Sequence, residues 1–213
     1  MMKNARSIIV LVLLTAAGCG TSKITSVWKA PLLNPPAYDK ILVLGLISAK
    51  DRSIQENMEN HMAGDLNDLG YHAISSLQEY GPKAFDKMTE TAALSKLKNS
   101  KVDAILTIVL LKKSRERQYV TPPVIYPPYA SEYNRFWLYR SRLVGRIYEP
   151  GYYVTNTRYF WESNLYDMKT QQLLYSAQTE SFDSSEPASL GHEYGQLIVK
   201  NMVKQGVLFH QKP

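Results

Sequence analysis

Residues 40–47 read KILVLGLI and residues 102–111 read VDAILTIVLL, and these two apolar runs decide the fold. Each run is apolar at nearly every position, so a strand formed from it would bury both of its faces. Strands of that kind lie at the centre of a sheet that helices cover on both sides. The two runs therefore predict an α/β domain with parallel central strands.

Helical and extended patterns alternate between these runs. A first helix is predicted over residues 53–69, where Gly70 ends it. The apolar residues that share one face of this helix are Ile54, Met58, Met62, Leu66 and Leu69. A short strand over 71–77 and a second helix over 82–99 follow. The inward residues predicted for the second helix are Phe85, Met88, Ala92 and Leu94 or Leu97.

The carboxyl half has a different pattern. Two extended runs, at 154–167 and 173–182, are separated by the loop 168–172, which is the spacing of an antiparallel hairpin. Residues 187–207 predict a final helix. The predicted fold class is thus α/β, in which a βαβαβ half is followed by an antiparallel hairpin and a C-terminal helix. We expect a single mixed sheet with helices packed on it, connected by right-handed crossovers.

The first 18 residues have the pattern of a cleavable export signal. Lys3 and Arg6 precede the apolar run IIVLVLL at 8–14, and small residues lie directly before Cys19. This run is too short to span a membrane, which takes roughly 20 apolar residues. The tetrapeptide AAGC at 16–19 resembles the lipobox of bacterial lipoproteins, in which signal peptidase II cuts before a cysteine that carries diacylglycerol. The resemblance implies lipidation of Cys19, and the alternative is an ordinary secretory signal that contains a cysteine.

The residues after Cys19 predict the location of the mature chain. Cys19 is the only cysteine, so it has no partner for an intramolecular disulfide, and acylation accounts for it. By resemblance to the sorting rule of enteric bacteria, Gly20 at the next position implies an outer-membrane lipoprotein that faces the periplasm. Residues 19–37 are predicted to form a lipidated tether, and residues 38–213 a single periplasmic domain. Within the tether, Trp28 is expected to pack on the folded body.

The charge of the chain is mild. Of 25 basic residues, 23 remain when Lys3 and Arg6 are cleaved off, against 19 acidic residues. A nucleic-acid partner is therefore not expected.

Four short motifs carry a family resemblance. They are VLGLI at 43–47, DLGY at 68–71, VDAIL at 102–106 and YDMKTQQLLYS at 166–176. Over residues 38–207 the chain resembles a group of small envelope lipoproteins with a domain similar to the amino-terminal domain of the Tol-Pal translocation protein. The group includes lipoprotein activators of penicillin-binding proteins and the curli secretion lipoprotein. In it, the phrase Asp, two residues, Thr, two residues, Leu marks a hairpin turn. The resemblance implies a fold and no active site.

Patterns that indicate catalysis are scarce. The four histidines have no His-x-x-x-His spacing, and the chain has no Gly-rich phosphate loop and no Gly-x-Ser-x-Gly elbow. We therefore expect no enzymatic activity, no cofactor and no metal.

One stretch differs from the rest of the chain in composition. Residues 118–163 hold nine of the 15 tyrosines and two of the three tryptophans, and a Tyr- and Pro-rich insertion is predicted at about 118–150. Aromatic side chains are enriched at protein interfaces. The predicted interaction surface consists of Tyr126, Tyr129, Tyr133, Phe136 and Trp137. Alternatively, the segment folds back on its own sheet and its tyrosines fill a local core.

Together these features predict a non-enzymatic outer-membrane lipoprotein with a binding or scaffolding role in cell-envelope assembly or regulation. Its expected partners are the membrane, through Cys19, and an envelope protein. The alternative is a periplasmic ligand- or glycan-binding module that uses the aromatic stretch.

Overall fold

The computed structural model describes residues 22–31, 37–83, 85–121, 135–138, 140–141, 150–182 and 187–211. The strands within these ranges are β1 (Ser22–Lys29), β2 (Lys40–Leu46), β3 (His72–Ser75), β4 (Ala104–Val120), β5 (Tyr152–Asp167) and β6 (Leu173–Phe182). The longer helical elements are α1 (Arg52–Asp68), α2 (Ser76–Tyr80), α3 (Glu90–Asn99) and α4 (Pro187–Lys204), and a 3-10 turn at Ala49–Asp51 precedes α1.

The strands form one six-stranded sheet in the order β1-β6-β5-β4-β2-β3. Strand β2 is parallel to both β3 and β4, whereas the β4–β5, β5–β6 and β6–β1 pairs are antiparallel. The predicted fold class is confirmed: a parallel βαβαβ half continues into an antiparallel hairpin and a C-terminal helix, in a single mixed sheet.

Strand β2 is buried on both faces, as its unbroken apolar run predicts. Ile41 and Val43 belong to the larger core, together with the inward faces of α1 and α4. Leu42, between them in sequence, points to the opposite face and packs in a smaller cluster with Leu97 of α3. Alternate residues of one strand therefore join α1 and α4 on one side of the sheet and α3 on the other.

Helix α4 is held on the sheet by aromatic side chains. Trp161 of β5 and Tyr194 of α4 are both fully buried, with ring centroids 5.7 Å apart. The Tyr194 hydroxyl and the Ser163 hydroxyl are hydrogen-bonded at 2.7 Å, so the polar end of the buried ring is satisfied. These contacts fix α4 against the antiparallel half of the sheet.

The segment predicted to be a tether contains a strand. Ser22–Lys29 forms β1, which pairs with β6 over seven residue pairs. Ile24 and Val27 are partly buried and the two residues between them are exposed, with a register shift between Ile24 and Ser26, as is common on an edge strand. Trp28, which was expected to pack on the body, is instead about half exposed on this strand.

Two elements of the parallel half are shorter than predicted. Strand β3 ends at Ser75, because the Ser75 hydroxyl caps the short helix α2. Helix α3 begins at Glu90 rather than at 82, since Lys87 has a positive φ of 58° and the Thr89 hydroxyl caps the helix. Met88 and Ala92, which were predicted to face inward, are consequently exposed, whereas Leu97 is buried as predicted.

Strands β4 and β5 extend far beyond the ends of their neighbours β2 and β6. Strand β4 was predicted to end at Leu111 but continues to Val120, paired with β5 except at Leu111, where the register shifts. The last residue of β6, Phe182, lies opposite Arg158 of β5. Residues 115–120 and 152–157 therefore form a two-stranded extension, which we call the ribbon, and among the described residues no third strand lies beside it.

Candidate functional site

The structure places only part of the predicted interaction surface. Cys19, Tyr126, Tyr129 and Tyr133 lie outside the described residues. Phe136 and Trp137 are described, in a short helical segment, and their side chains are 69% and 71% exposed.

Phe136 and Trp137 form a compact aromatic pair. Their ring centroids are 5.6 Å apart in an edge-to-face arrangement, and the Arg140 guanidinium lies 5.4 Å from the Trp137 ring centroid. Leu138 adds a third partly exposed apolar side chain. Tryptophan and arginine are the residue types that contribute most to binding at interfaces. The pair can therefore serve as an anchor for a partner surface.

A second exposed aromatic group lies on the ribbon. Tyr119 and Tyr153 face each other across the two strands with ring centroids 5.1 Å apart, and Tyr152 points to the other face. Tyr152 and Tyr153 are each 61% exposed, and Tyr119 is half exposed. The Arg117 guanidinium lies 4.7 Å from the Tyr153 ring centroid.

Gly151 is required where the ribbon begins its return strand. Its backbone N–H donates to the Tyr119 hydroxyl at 3.0 Å, and a Cβ at this position would overlap the Tyr119 ring. Any larger residue would displace the tyrosine. The geometry of the aromatic group thus depends on a close approach of backbone to ring.

The base of the ribbon carries cations beside aromatic rings. Arg158 and Lys23 lie 5.2 Å and 5.7 Å from the Phe182 ring centroid, and Arg158 also approaches the Glu180 carboxylate at 3.7 Å. On the neighbouring strand, Lys113 pairs with Asp51. Residues 112–120 and 152–158 contain five cationic side chains and one acid, so this end of the sheet is basic as well as aromatic.

Tyr119, Tyr152 and Tyr153 belong to the aromatic 118–163 stretch but not to the predicted interaction surface. Only one of the two ribbon strands has residues that favour a strand. Tyr152-Tyr153-Val154 follows Pro150-Gly151 and consists of residues that favour strands, whereas 112–120 reads KKSRERQYV and is too polar to predict a core strand. The two segments form strands only because they pair with each other.

The alternative expectation, an aromatic stretch that fills its own core, holds for its last part. Tyr159 and Trp161 are buried and stacked, with ring centroids 5.7 Å apart. The described aromatic residues of the stretch therefore form two groups. Those in the ribbon and the insertion are exposed, whereas Tyr159 and Trp161, within the sheet, are buried.

The strongest polar cluster lies at the carboxyl ends of β2 and β3, around the fully buried Glu59 of α1. One carboxylate oxygen accepts from the Gly45 N–H at 2.8 Å and from the Gln55 side-chain amide at 2.9 Å. The other accepts from the Ser75 hydroxyl at 2.6 Å and from the Leu77 N–H at 2.8 Å. Each oxygen thus has two donors, and the cluster ties α1 to two strands and to α2.

The carboxyl ends of parallel strands are where ligands bind in open α/β sheets. A cavity of about 300 Å³ lies here, lined by residues that include Gly45, Arg52, Gln55 and Leu77. Both carboxylate oxygens of Glu59 and the side-chain amide nitrogen of Gln55 already bond to groups inside the protein. The cluster is therefore suited to holding the fold together, and we assign it no ligand.

At the opposite end of the sheet, Asp167 organises the β5–β6 turn. The Thr170 N–H and hydroxyl donate to one carboxylate oxygen at 2.6 Å and 2.8 Å, and the Tyr38 hydroxyl donates to the other at 3.2 Å. Burial alone would raise the pKa of Asp167, but these hydrogen bonds outweigh it and hold the pKa below its usual value. This contact explains why the turn phrase pairs Asp with Thr three residues later.

A larger cavity of about 910 Å³ lies beside this turn. Its charged lining residues have mixed sign and include Asp103, Asp167, Lys98 and Lys169. Among the residues that the structure describes, no three His, Cys, Asp or Glu side chains are grouped as a metal site would need. No helix in the same residues is both long and apolar enough to cross a membrane.

The fold and these surfaces define a small α/β sheet domain that presents exposed aromatics on a projecting ribbon. No protein-family model matches the chain, and no curated protein matches it. Solved structures with a similar fold include the PelC dodecamer from Paraburkholderia phytofirmans, at a TM-score of 0.44 and 12% identity, covering 90% of this chain and 99% of that one. Lipoprotein GNA1162 from Neisseria meningitidis is similar at a TM-score of 0.41 and 15% identity, covering 78% and 99% respectively.

These similarities are too distant to carry an argument about function. Neither structure is named for the Tol-Pal group, so that narrower resemblance stays a hypothesis.

Proposed function

We propose that this chain is a non-enzymatic lipoprotein of the outer membrane, anchored through Cys19, facing the periplasm, with a binding or scaffolding role in cell-envelope assembly or regulation. The lipobox-like AAGC at 16–19 supports the anchor. The exposed aromatic pair Phe136–Trp137 supports the binding role and is the observation that carries it.

The aromatic pair is favoured as a docking point because two large rings remain in water. Each of these side chains is about 70% exposed, so a partner that covers it would remove apolar area from water. The free energy gained is roughly 25 cal/mol per Å² of apolar area buried. The flanking Arg135 and Arg140 are suited to an acidic rim on the partner. A protein surface with an apolar pocket and acidic margins fits this chemistry.

The non-enzymatic part of the proposal has its own support. The fully buried carboxylate of Glu59 is surrounded by four donors that belong to the fold. Asp167, at the other end of the sheet, holds a turn.

The test is crosslinking in intact cells. A photoreactive amino acid at position 138, beside the intact aromatic pair, should capture an envelope protein, and the same amino acid at position 88, where Met88 is also exposed, should not. Phe136→Ala with Trp137→Ala should abolish the capture from position 138 without changing the melting temperature. Capture that is equal at 88 and 138, or that survives the double substitution, would contradict the docking role.

The second candidate is a glycan- or ligand-binding module, and the exposed rings of Tyr152 and Tyr153 favour it because sugar rings stack on aromatic faces. Titration of the protein with soluble peptidoglycan fragments would test it. Saturable binding that is lost in Tyr152→Ser with Tyr153→Ser, and retained in Phe136→Ala with Trp137→Ala, would favour this candidate over the first.

A further inference from the structure

The ribbon lies at the same end of the sheet as the residue from which a lipid anchor would extend. Four paired residues lie at one level across the sheet, one on each of four neighbouring strands. They are Ser22 at the start of β1, Ser181 of β6, Tyr159 of β5 and Lys113 of β4. The ribbon continues from this level in the direction away from the sheet. Cys19 precedes Ser22 by three positions, so the segment between them spans at most about 10 Å.

The dimensions of the ribbon match this short connection. Val120 is seven residues beyond Lys113, which corresponds to about 23 Å of strand at 3.3 Å per residue. Strands β1 and β4 are separated by β6 and β5, and a twist of roughly 20–25° per strand inclines the ribbon by about 60–75° to β1. Measured along the direction of β1, the ribbon therefore projects about 6–12 Å beyond Ser22. This length is similar to the distance that the chain between Ser22 and Cys19 can span.

The side chains of the ribbon suit the surface of a bilayer. Tyrosine is enriched at membrane–water interfaces, where its ring is buried among the lipids and its hydroxyl remains hydrated. Tyr119, Tyr152 and Tyr153 are exposed in this way at the ribbon. Arg115 and Arg117 lie beside them and are exposed, so they can contact phospholipid phosphates.

We propose that the ribbon is a second membrane contact, which rests on the phospholipid headgroups of the leaflet that holds the Cys19 lipid, with its tyrosines at the interface. This inference rests on the proposed lipid anchor, since that anchor fixes which end of the sheet faces the bilayer. Two contacts, a lipid and an aromatic ribbon, would hold the domain in one orientation. The cavity beside Asp167, at the amino ends of the parallel strands, would then face away from the membrane.

A single thiol makes the test possible. Once Cys19 carries a thioether-linked lipid, Tyr153→Cys supplies the only free thiol of the full-length chain. It is labelled with an environment-sensitive fluorophore, and the protein is reconstituted in vesicles of phosphatidylethanolamine and phosphatidylglycerol. The matched control is Phe209→Cys, because Phe209 is 49% exposed and lies at the far end of the sheet. Its backbone N–H donates to the hydroxyl of Tyr71, the residue directly before β3.

Lipids with a quenching group near the headgroup should quench the label at 153 and leave the label at 209 unchanged. Tyr152→Cys, on the opposite ribbon face, keeps the test decisive if Tyr153→Cys disturbs the strand pair. Quenching at 152 or 153 but not at 209 supports the inference. Equal quenching at all three sites, or none at any, overturns it. A label shielded by a second copy of the chain, shown by energy transfer between labelled molecules without lipid quenching, also overturns it.

Mass spectrometry of the same preparation separates this inference from the proposed function. If Cys19 carries its lipid and the ribbon label remains in water, the ribbon contact is wrong and the anchor stands. If Cys19 carries no lipid, the anchor itself is wrong, and the orientation argued from it is overturned.

Discussion

Strands β4 and β5 run through both the six-stranded sheet and the ribbon, yet the two regions are stabilised differently. Within the sheet, Ile108 of β4 and Leu165 of β5 are fully buried between neighbouring strands and helices. In the ribbon, the same strands expose Tyr119, Tyr152 and Tyr153. A two-stranded ribbon is only marginally stable in water. Residues that stabilise the domain are therefore concentrated in one region, and residues free to bind are concentrated in the other.

The largest effect is expected from Glu59→Ala in the sheet region. The substitution leaves the Gly45 and Leu77 N–H groups and the Ser75 hydroxyl without their acceptor inside the protein. We expect the free energy of unfolding to fall by about 3–5 kcal/mol. Chemical denaturation measures it, with Glu56→Ala on the exposed face of α1 as control. If Glu59→Ala lowered the free energy of unfolding less than Glu56→Ala does, the Glu59 cluster would not hold α1 to the parallel strands.

A smaller loss is expected from Gly45→Ala. A Cβ there would lie 2.7 Å from Cγ of Gln55 and 2.9 Å from the Glu59 carboxylate, inside the same cluster. Overpacking of this kind costs about 1–3 kcal/mol. Gly64→Ala, on the exposed side of α1 with no atom within 4 Å of the new Cβ, should instead stabilise by about 0.5–1 kcal/mol. Changes of the same sign in both variants would contradict the packing described.

Asp167→Asn tests the turn that joins the two antiparallel strands. The lowered pKa of Asp167 means that its ionised form stabilises the fold above the ordinary carboxyl pKa of 3.8. That contribution is lost as the pH falls through the lower, folded-state pKa. We expect Asp167→Asn to cost about 1 kcal/mol at pH 7, with the difference from the native chain vanishing in acid. A difference that stays constant down to pH 2 would show that the charge is not involved.

The smallest stability effect is expected in the ribbon. Tyr152→Ser with Tyr153→Ser removes one cross-strand aromatic pair, which contributes about 0.2–1 kcal/mol at most. The melting temperature of the full chain should hardly change, while binding at the ribbon is lost. A loss of stability comparable to Glu59→Ala would mean that the ribbon belongs to the core.

The two regions also differ in how well the sequence predicts them. Continuous apolar runs specified β2 and the first half of β4, and helical periodicity specified α1, because burial on known faces leaves a regular pattern. The outer half of β4 could not be predicted, since KKSRERQYV has neither apolar alternation nor helical spacing and is extended only through its partner strand. Edge strand β1 escaped prediction for a similar reason: its pairing with β6 comes from residues about 150 positions away.

The predicted site was found only in part. Composition located the aromatic stretch, and Phe136 and Trp137 are exposed as a surface role requires. The ribbon tyrosines were not singled out, because no sequence rule distinguishes Tyr153, which is exposed, from Tyr159, which is buried. That difference arises where β6 ends at Phe182, because β5 has no β6 residue beside it on the ribbon side of Arg158.

Amide hydrogen exchange of the full lipidated chain tests the contrast between sheet and ribbon most directly. In detergent micelles, the amides of 104–110 and 159–165 should exchange only on global unfolding, whereas those of 115–120 and 152–157 should exchange much faster through local opening. In phospholipid vesicles the sheet amides should be unchanged and the ribbon amides should become slow. Ribbon amides that are as slow as the sheet in micelles, or that stay fast in vesicles, would contradict the account.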